Sequence, residues 1–184
     1  MSEIFFTSDT HFGHQRTLEL SKRPFNNVLE MSETIVDNWN NVVENHDTVY
    51  HLGDFGSVEF INCLEGKIKF IPGNYDDQKT LDYLVKKNVT ILEQDYLLKI
   101  KEYEFCLVHE PYETKMSEDN FFLFGHIHKL QMVKINGLNV SVDCHNFFPL
   151  SFKDVLFYRN AIVNHYDENV FCDKMGWECQ RHVR

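Results

Sequence analysis

The sequence predicts an α/β fold of two sheets packed face to face, with helices outside. Three observations predict it. Short apolar strand runs alternate with helical patterning from the start to Asn74, the middle of the chain is dense in strand runs and turns, and a helical stretch closes the readable pattern. That order gives βαβ units first, then a run of hairpins, then a late helix.

Ile4-Phe5-Phe6-Thr7 is a short apolar strand stopped by the polar pair Ser8-Asp9. After Ser32, the residues Ile35, Trp39, Val42 and Val43 recur at helical spacing, giving one amphipathic helix before Asp47. Thr48-Val49-Tyr50-His51-Leu52 is the next strand and ends on Gly53-Asp54. Ser57 is placed to cap a short helix through Leu64, with Gly66 as its stop. Ile68 to Ile71 forms a strand that runs into Pro72-Gly73-Asn74.

The rhythm then changes. Val89 to Leu92, Tyr96 to Ile100 and Glu104 to Val108 read as successive strands, with Lys101-Glu102 at a tight turn. Phe121 to Phe124 is a fully apolar strand that delivers Gly125-His126-Ile127-His128. Asn136-Gly137, flanked by Val133/Ile135 and Leu138/Val140, signals a type I′ hairpin. Ser151 to His165 is expected to be helical. No repeat or Pro/Gly/Ser linker interrupts residues 1–184, which are expected to form a single domain.

The net charge of −10 sets the surface against long polyanions, and no Lys/Arg-rich run offers a phosphate-tracking groove, so no long nucleic acid is expected as a partner. Met1-Ser2-Glu3 has no basic stretch, and the apolar run after it is too short for a signal peptide or a membrane span. The five cysteines (Cys63, Cys106, Cys144, Cys172 and Cys179) are scattered and form no Cys-x-x-Cys pair. Reduced thiols in a cytoplasmic protein away from membranes are the expectation.

Five segments end apolar runs with metal-ligand residue types: Asp9-Thr10-His11, Gly53-Asp54, Gly73-Asn74, His109 and Gly125-His126-Ile127-His128. Strand ends are where an α/β sheet presents side chains to a ligand. Asp9 and His11 are two apart, and on an extended strand end such positions face the same way, so both reach one cation. His126 and His128 repeat the spacing. Asp54 follows a glycine that permits a sharp turn, and its two oxygens can bridge two ions; Asn74 offers a neutral amide oxygen. Two divalent cations carry about +4 against −2 from Asp9 and Asp54, leaving positive charge for a phosphate ester or hydroxide. Imidazole and carboxylate without thiolate suit Mn²⁺, with Fe, Zn²⁺, Co²⁺ or Ni²⁺ as the other candidates.

In their order these five segments resemble the motifs of the calcineurin-like metallophosphoesterase superfamily, over about Ile4 to His128. The resemblance implies a four-layer α/β/β/α sandwich of two mixed sheets flanked by helices. It implies one metal on Asp9, His11 and His128, a second on Asn74, His109 and His126, and Asp54 bridging them. The implied activity is hydrolysis of phosphate esters by a hydroxide held between the two ions.

Two departures narrow the substrate. The family's third motif usually reads Gly-Asn-His-Asp/Glu, with the histidine at the leaving oxygen, whereas this chain has Gly73-Asn74-Tyr75-Asp76. A phenol is a weaker proton donor than imidazolium near neutral pH, which favours diesters whose leaving group needs little protonation. The second motif, Gly53-Asp54-Phe55-Gly56, lacks the arginine of the protein phosphatases. Small or nucleotide-like phosphodiesters are the expected substrates, with a short-oligonucleotide nuclease or a catalytically silent interaction scaffold of this fold as alternatives. His14 and Tyr75 are candidates to act on the ester, and Arg16, Arg23 and His145 to contact it. His51, within its strand, is expected to be a buried structural residue.

Overall fold

The structure is a computed structural model, and it describes residues 2–111 and 120–166. The first sheet contains β1 (Ile4–Thr7), β2 (Thr48–His51), β3 (Lys67–Phe70), β4 (Thr90–Ile91) and β10 (Leu150–Ser151), in the order β10-β1-β2-β3-β4. β1 to β4 run parallel and β10 is antiparallel to β1. Alternation along these strands sends Phe5, Val49, Ile68 and Phe70 to one face and Phe6 and Tyr50 to the other. Both faces are apolar because both are covered, as a parallel sheet requires.

Three helices cover the first face: α1 (Gln15–Leu20), α2 (Val28–Asn40) and α3 (Gln78–Lys86). They bury Leu18, Met31, Ile35, Trp39 and Leu84 against it. Removing an aliphatic side chain of this kind costs about 2–5 kcal/mol. α2 begins five residues earlier than a start after Ser32 would place it. Asn27 caps it by accepting from the Glu30 amide, and the Glu30 carboxylate accepts from the Asn26 amide. Ser32 lies inside the helix, where its hydroxyl donates to Val28 O and accepts from the Gly13 amide. The short helix after Ser57 is a 3₁₀ turn, Val58–Cys63, with no side-chain bond at its cap. α3 was not anticipated, although it is amphipathic, with Leu84 buried and Leu81 and Tyr83 packed on the same core; Asp77 caps it through the Thr80 amide.

The second sheet contains β5 (Tyr96–Ile100), β6 (Tyr103–Leu107), β7 (Phe121–Phe124), β8 (Val133–Lys134) and β9 (Gly137–Asn139), in the order β5-β6-β7-β9-β8. β5/β6 and β8/β9 are antiparallel, and β6/β7 and β7/β9 are parallel. Two expectations need correcting. β4 belongs to the first sheet beside β3 and does not open the hairpin run. The β8/β9 hairpin exists, but Lys134 pairs with Gly137, so Ile135 and Asn136 are its central residues. Of the turn residues only Asn136 has a positive φ, at 55°, whereas a type I′ turn needs two.

Between the sheets, Phe6, Tyr50, Leu52 and Ile71 meet Leu98, Phe105, Leu107, Phe121, Leu123 and Leu138. α4 (Phe152–His165) packs on β1, β9 and β10 and adds Val155 and Ile162 to this core. Ser151 caps it by accepting from the Asp154 amide. The other face of the second sheet buries Cys106, Val108, Phe122 and Phe124. The architecture is an α/β sandwich of two mixed five-stranded sheets with helices. Among the described residues no helix is long and apolar enough to cross a membrane. Cys63, Cys106 and Cys144 are free thiols, and Cys172 and Cys179 lie outside the described residues.

Candidate metal centre

Ligand-type side chains from both sheets converge beyond the carboxyl ends of β1, β2, β3, β6 and β7. Donor atoms of Asp9, His11 and His128 lie within 4.8 Å of one another, as do those of Asp54, His109 and His126. Asn74 joins the second group, with its Oδ1 3.1 Å from His109 Nε2 and 3.0 Å from His126 Nδ1. Asp54 Oδ2 lies between the groups, 3.4 Å from His11 Nε2 and 3.5 Å from His109 Nε2. The structure thus brings together all seven candidate ligands.

The device that aims them differs from the extended strand end expected from the i, i+2 spacing. Asp9, His11, Asp54, His126 and His128 all have positive φ, between 46° and 69°. A left-handed kink at alternate residues, rather than strand alternation, turns each pair inward. Gly53, at φ 91°, is required twice over, because a Cβ there would lie 2.5 Å from the Gly73 amide nitrogen and 2.7 Å from His109 Nδ1. At Gly73 a Cβ would strike the Asp54 carboxylate.

A second set of bonds orients the donors. His109 Nδ1 donates to Leu52 O at 2.7 Å, which leaves Nε2 to face Asp54 and Asn74. His128 Nδ1 lies 2.7 Å from Asp143 Oδ2, which likewise leaves its Nε2 free. Arg23 grips Asp143 with two nitrogens, at 2.9 and 2.7 Å, and donates to the carbonyls of Asp9 and Thr10. The Asp9 carboxylate accepts from the His126 amide and from Ser8 Oγ. Asp76 accepts from the amides of Asp54, Phe55 and Gly73, stapling the loop after β2 to the loop after β3.

The electrostatics suit cations. Burial pushes the Asp54 carboxyl up, but the imidazoles of His109 and His11 beside it outweigh that and hold the carboxyl well below the usual range. Burial alone would lower His109, yet its bond to Asp54 and the charges of Asp9 and Asp54 raise it to about 9. The site therefore attracts positive charge, which a proton supplies in part and a divalent ion supplies in full. His11 Nε2 is buried and faces Asp54 Oδ2 at 3.4 Å without a well-formed hydrogen bond, a position that a metal ion between the two would complete. The nitrogen and oxygen donors fit a divalent transition ion. Cys144 does not compete, because burial pushes its thiol up to about 12.

The remaining candidates divide. His14 Nδ1 is 3.3 Å from His11 Nδ1, and burial followed by the His11 charge pushes its pKa down. Tyr75 is 55% exposed and its ring stands nearly perpendicular to that of His11, 5.5 Å between centroids. Arg16 is exposed on α1 and lines a cleft that opens on His11 and His128. Arg23 is not available to substrate; it is 5% exposed, and its guanidinium is committed to Asp143 and two backbone carbonyls. His145 does not rim the site either, since it is buried, bonded to Asn139 O and packed on Tyr158. His51 is fully buried against Thr10 Oγ1, and burial lowers its pKa to about 3, so its ring is neutral. Sequence reasoning missed the orienting roles of Asp143, Asp76 and Ser8. Glu110 was missed too; its Oε1 lies 3.5 Å from His126 Nε2.

Comparison with known proteins agrees with this geometry. The family model for the calcineurin-like phosphoesterase superfamily domain matches residues 3–142. The uncharacterized protein MJ1445 of Methanocaldococcus jannaschii is 33% identical over 167 residues, covering 82% of this chain and 88% of that one. The Gene 66 protein of Mycobacterium phage L5 is 35% identical over 85 residues, 41% of each chain. Among solved structures, the protein of unknown function AQ665 from Aquifex aeolicus aligns with a TM-score of 0.71 at 22% identity, over 86% of this chain and 100% of that one, a likeness of fold. With the family model spanning both sheets and all seven converging donors, the chain belongs to the calcineurin-like phosphoesterase superfamily.

Proposed function

We propose that the protein hydrolyses small or nucleotide-like phosphodiesters at a pair of divalent ions. Asp9, His11 and His128 would hold one ion, Asn74, His109 and His126 the other, and Asp54 both. When bound, such ions polarise phosphoryl oxygens and make water a competent nucleophile near neutral pH; Mn²⁺ is our first choice.

The observation that carries the diester reading is that the ligand cluster opens on two sides. A cleft of about 560 Å³ adjoins His11, His126 and His128. A separate pocket of about 240 Å³ adjoins Asn74 and His109. A phosphomonoester has one organic substituent to house, whereas a diester has two. Glu110 lines the smaller pocket and repels a second free phosphoryl charge there. Tyr75 beside His11 can donate a hydrogen bond to a departing oxygen, and His14, whose pKa burial pushes down, can do the same. Seven convergent donors favour an enzyme over a scaffold, and the net charge of −10 favours small esters over long nucleic acid.

Mn²⁺-dependent hydrolysis of bis(p-nitrophenyl) phosphate beside p-nitrophenyl phosphate tests this reading, with Asn74→Ala as control. Diester turnover that exceeds monoester turnover and vanishes in the variant supports it. No turnover of either ester by protein shown to hold the ions overturns the enzymatic reading, and faster monoester turnover overturns the diester preference.

A further inference from the structure

Resting on the phosphoesterase reading above, we propose that the groove between α1 and the His128–Leu130 turn binds an apolar organic arm of the ester. Arg16 then holds a second anionic group on that arm. The metal ligands His11, His126 and His128 form the inner end of this 560 Å³ groove. Outward from them, Leu20 stands on the α1 side and Ile127 and Leu130 on the other. Leu20 is 69% exposed and Leu130 is 85% exposed. Leucines left in water on both walls of a cleft that begins at the reaction centre are placed to cover an apolar ligand, and the volume falls within the range of small-molecule sites.

The charge pattern gives the arm its second feature. In a chain of net charge −10, the described lining of this groove contains no Asp or Glu but does contain Arg16 and Lys129. Lys129 Nζ donates to Lys22 O at 3.4 Å, which links the turn to the residues just after α1. Arg16 is exposed, and among the described residues no acceptor engages its guanidinium. Its planar donors suit a carboxylate or phosphate on a ligand whose phosphoryl group sits at the ions. The groove thus selects an ester whose larger substituent is apolar near the phosphorus and anionic further out. The smaller pocket, with Glu110, takes the uncharged substituent.

Phosphonates, whose C–P bond resists hydrolysis, separate this proposal from turnover. Calorimetry on the full Mn²⁺-loaded chain compares methylphosphonate, benzylphosphonate, octylphosphonate and benzylphosphonate carrying a para carboxylate. We expect benzyl- or octylphosphonate to bind about tenfold or more tighter than methylphosphonate, and the relative rank of the two tells a ring from a chain. Leu130→Ser, and Leu20→Ser with Leu130→Ser, should remove that preference while methylphosphonate affinity stays put. Arg16→Ala should remove only the extra gain from the carboxylate. Equal binding of the methyl, benzyl and octyl compounds overturns the proposal, as does a preference that survives in the leucine variants. Selective phosphonate binding without ester hydrolysis would sink the phosphoesterase reading and leave the groove assigned.

Discussion

Asp143 and His128 are joined by a 2.7 Å bond from Nδ1 to Oδ2, across the β8/β9 hairpin, and Arg23 grips both oxygens of the same carboxylate. Burial pushes the Asp143 carboxyl up, but its bonds to His128 and Arg23 bring it down to about 2, so it is an anion throughout the working range. An anion on Nδ1–H makes Nε2 a better ligand. Asp143→Asn should therefore weaken metal binding at the Asp9–His11–His128 group by about tenfold or more and spare the other group. Mn²⁺ titration of the stripped protein, read as two binding steps, checks it.

The Asp76 carboxylate holds three backbone amides of the loops that carry Asp54 and Asn74. Asp76→Ala leaves those donors orphaned and should cost about 2–4 kcal/mol. Urea unfolding of the metal-free protein measures the cost, and Asp76→Asn, which keeps one acceptor oxygen, should lose less.

His51 predicts a pH dependence of stability. Its pKa is about 3 when folded, against an ordinary value of 6.5. The unfolded chain takes up a proton that the folded chain refuses, so stability falls as pH drops from 6.5 toward 3 and is fully present above 6.5. The slope attributable to this one residue is about 1.4 kcal/mol per pH unit. Unfolding midpoints of the parent and of His51→Leu, compared between pH 7 and pH 5, should converge as pH falls.

Tyr75 stands where an imidazole would be a better proton donor. Its 55% exposure means that Tyr75→His should leave stability within about 0.5 kcal/mol. Turnover of alkyl phosphodiesters should rise by about tenfold and that of aryl diesters by less than about twofold, because aryl leaving groups need little protonation. A series of esters graded by leaving-group pKa would show the difference as a change of slope.

The ligands were legible because each sits where an apolar strand stops, and strand runs such as Ile4–Thr7 and Phe121–Phe124 are the strongest local signal in the chain. The bonds that aim them were not. Arg23 and Asp143 meet across 120 residues of sequence, and nothing local distinguishes Arg23 from the solvated Arg16 until the fold buries it. α3 spans only nine residues, and its apolar face of Leu81, Tyr83 and Leu84 went unread between the Asn74 segment and the strand runs that follow. The turn at Ile135–Asn136 was misplaced by one residue because Asn-Gly is a strong turn signal, but the parallel pairing of Gly137 with Phe122 claims the glycine for β9. That pairing is a tertiary constraint which a local pattern cannot display.

Five of the candidate ligands occupy backbone conformations that glycine would adopt more easily, at about 1 kcal/mol or more each for a residue with a Cβ. Conformational preference and chemistry therefore pull in opposite directions at Asp9, His11, Asp54, His126 and His128. Glycine at any of them would let the loop keep its path at lower cost. Replacing one of these ligands by glycine would therefore remove a donor and relieve the backbone together, where alanine would remove the donor alone.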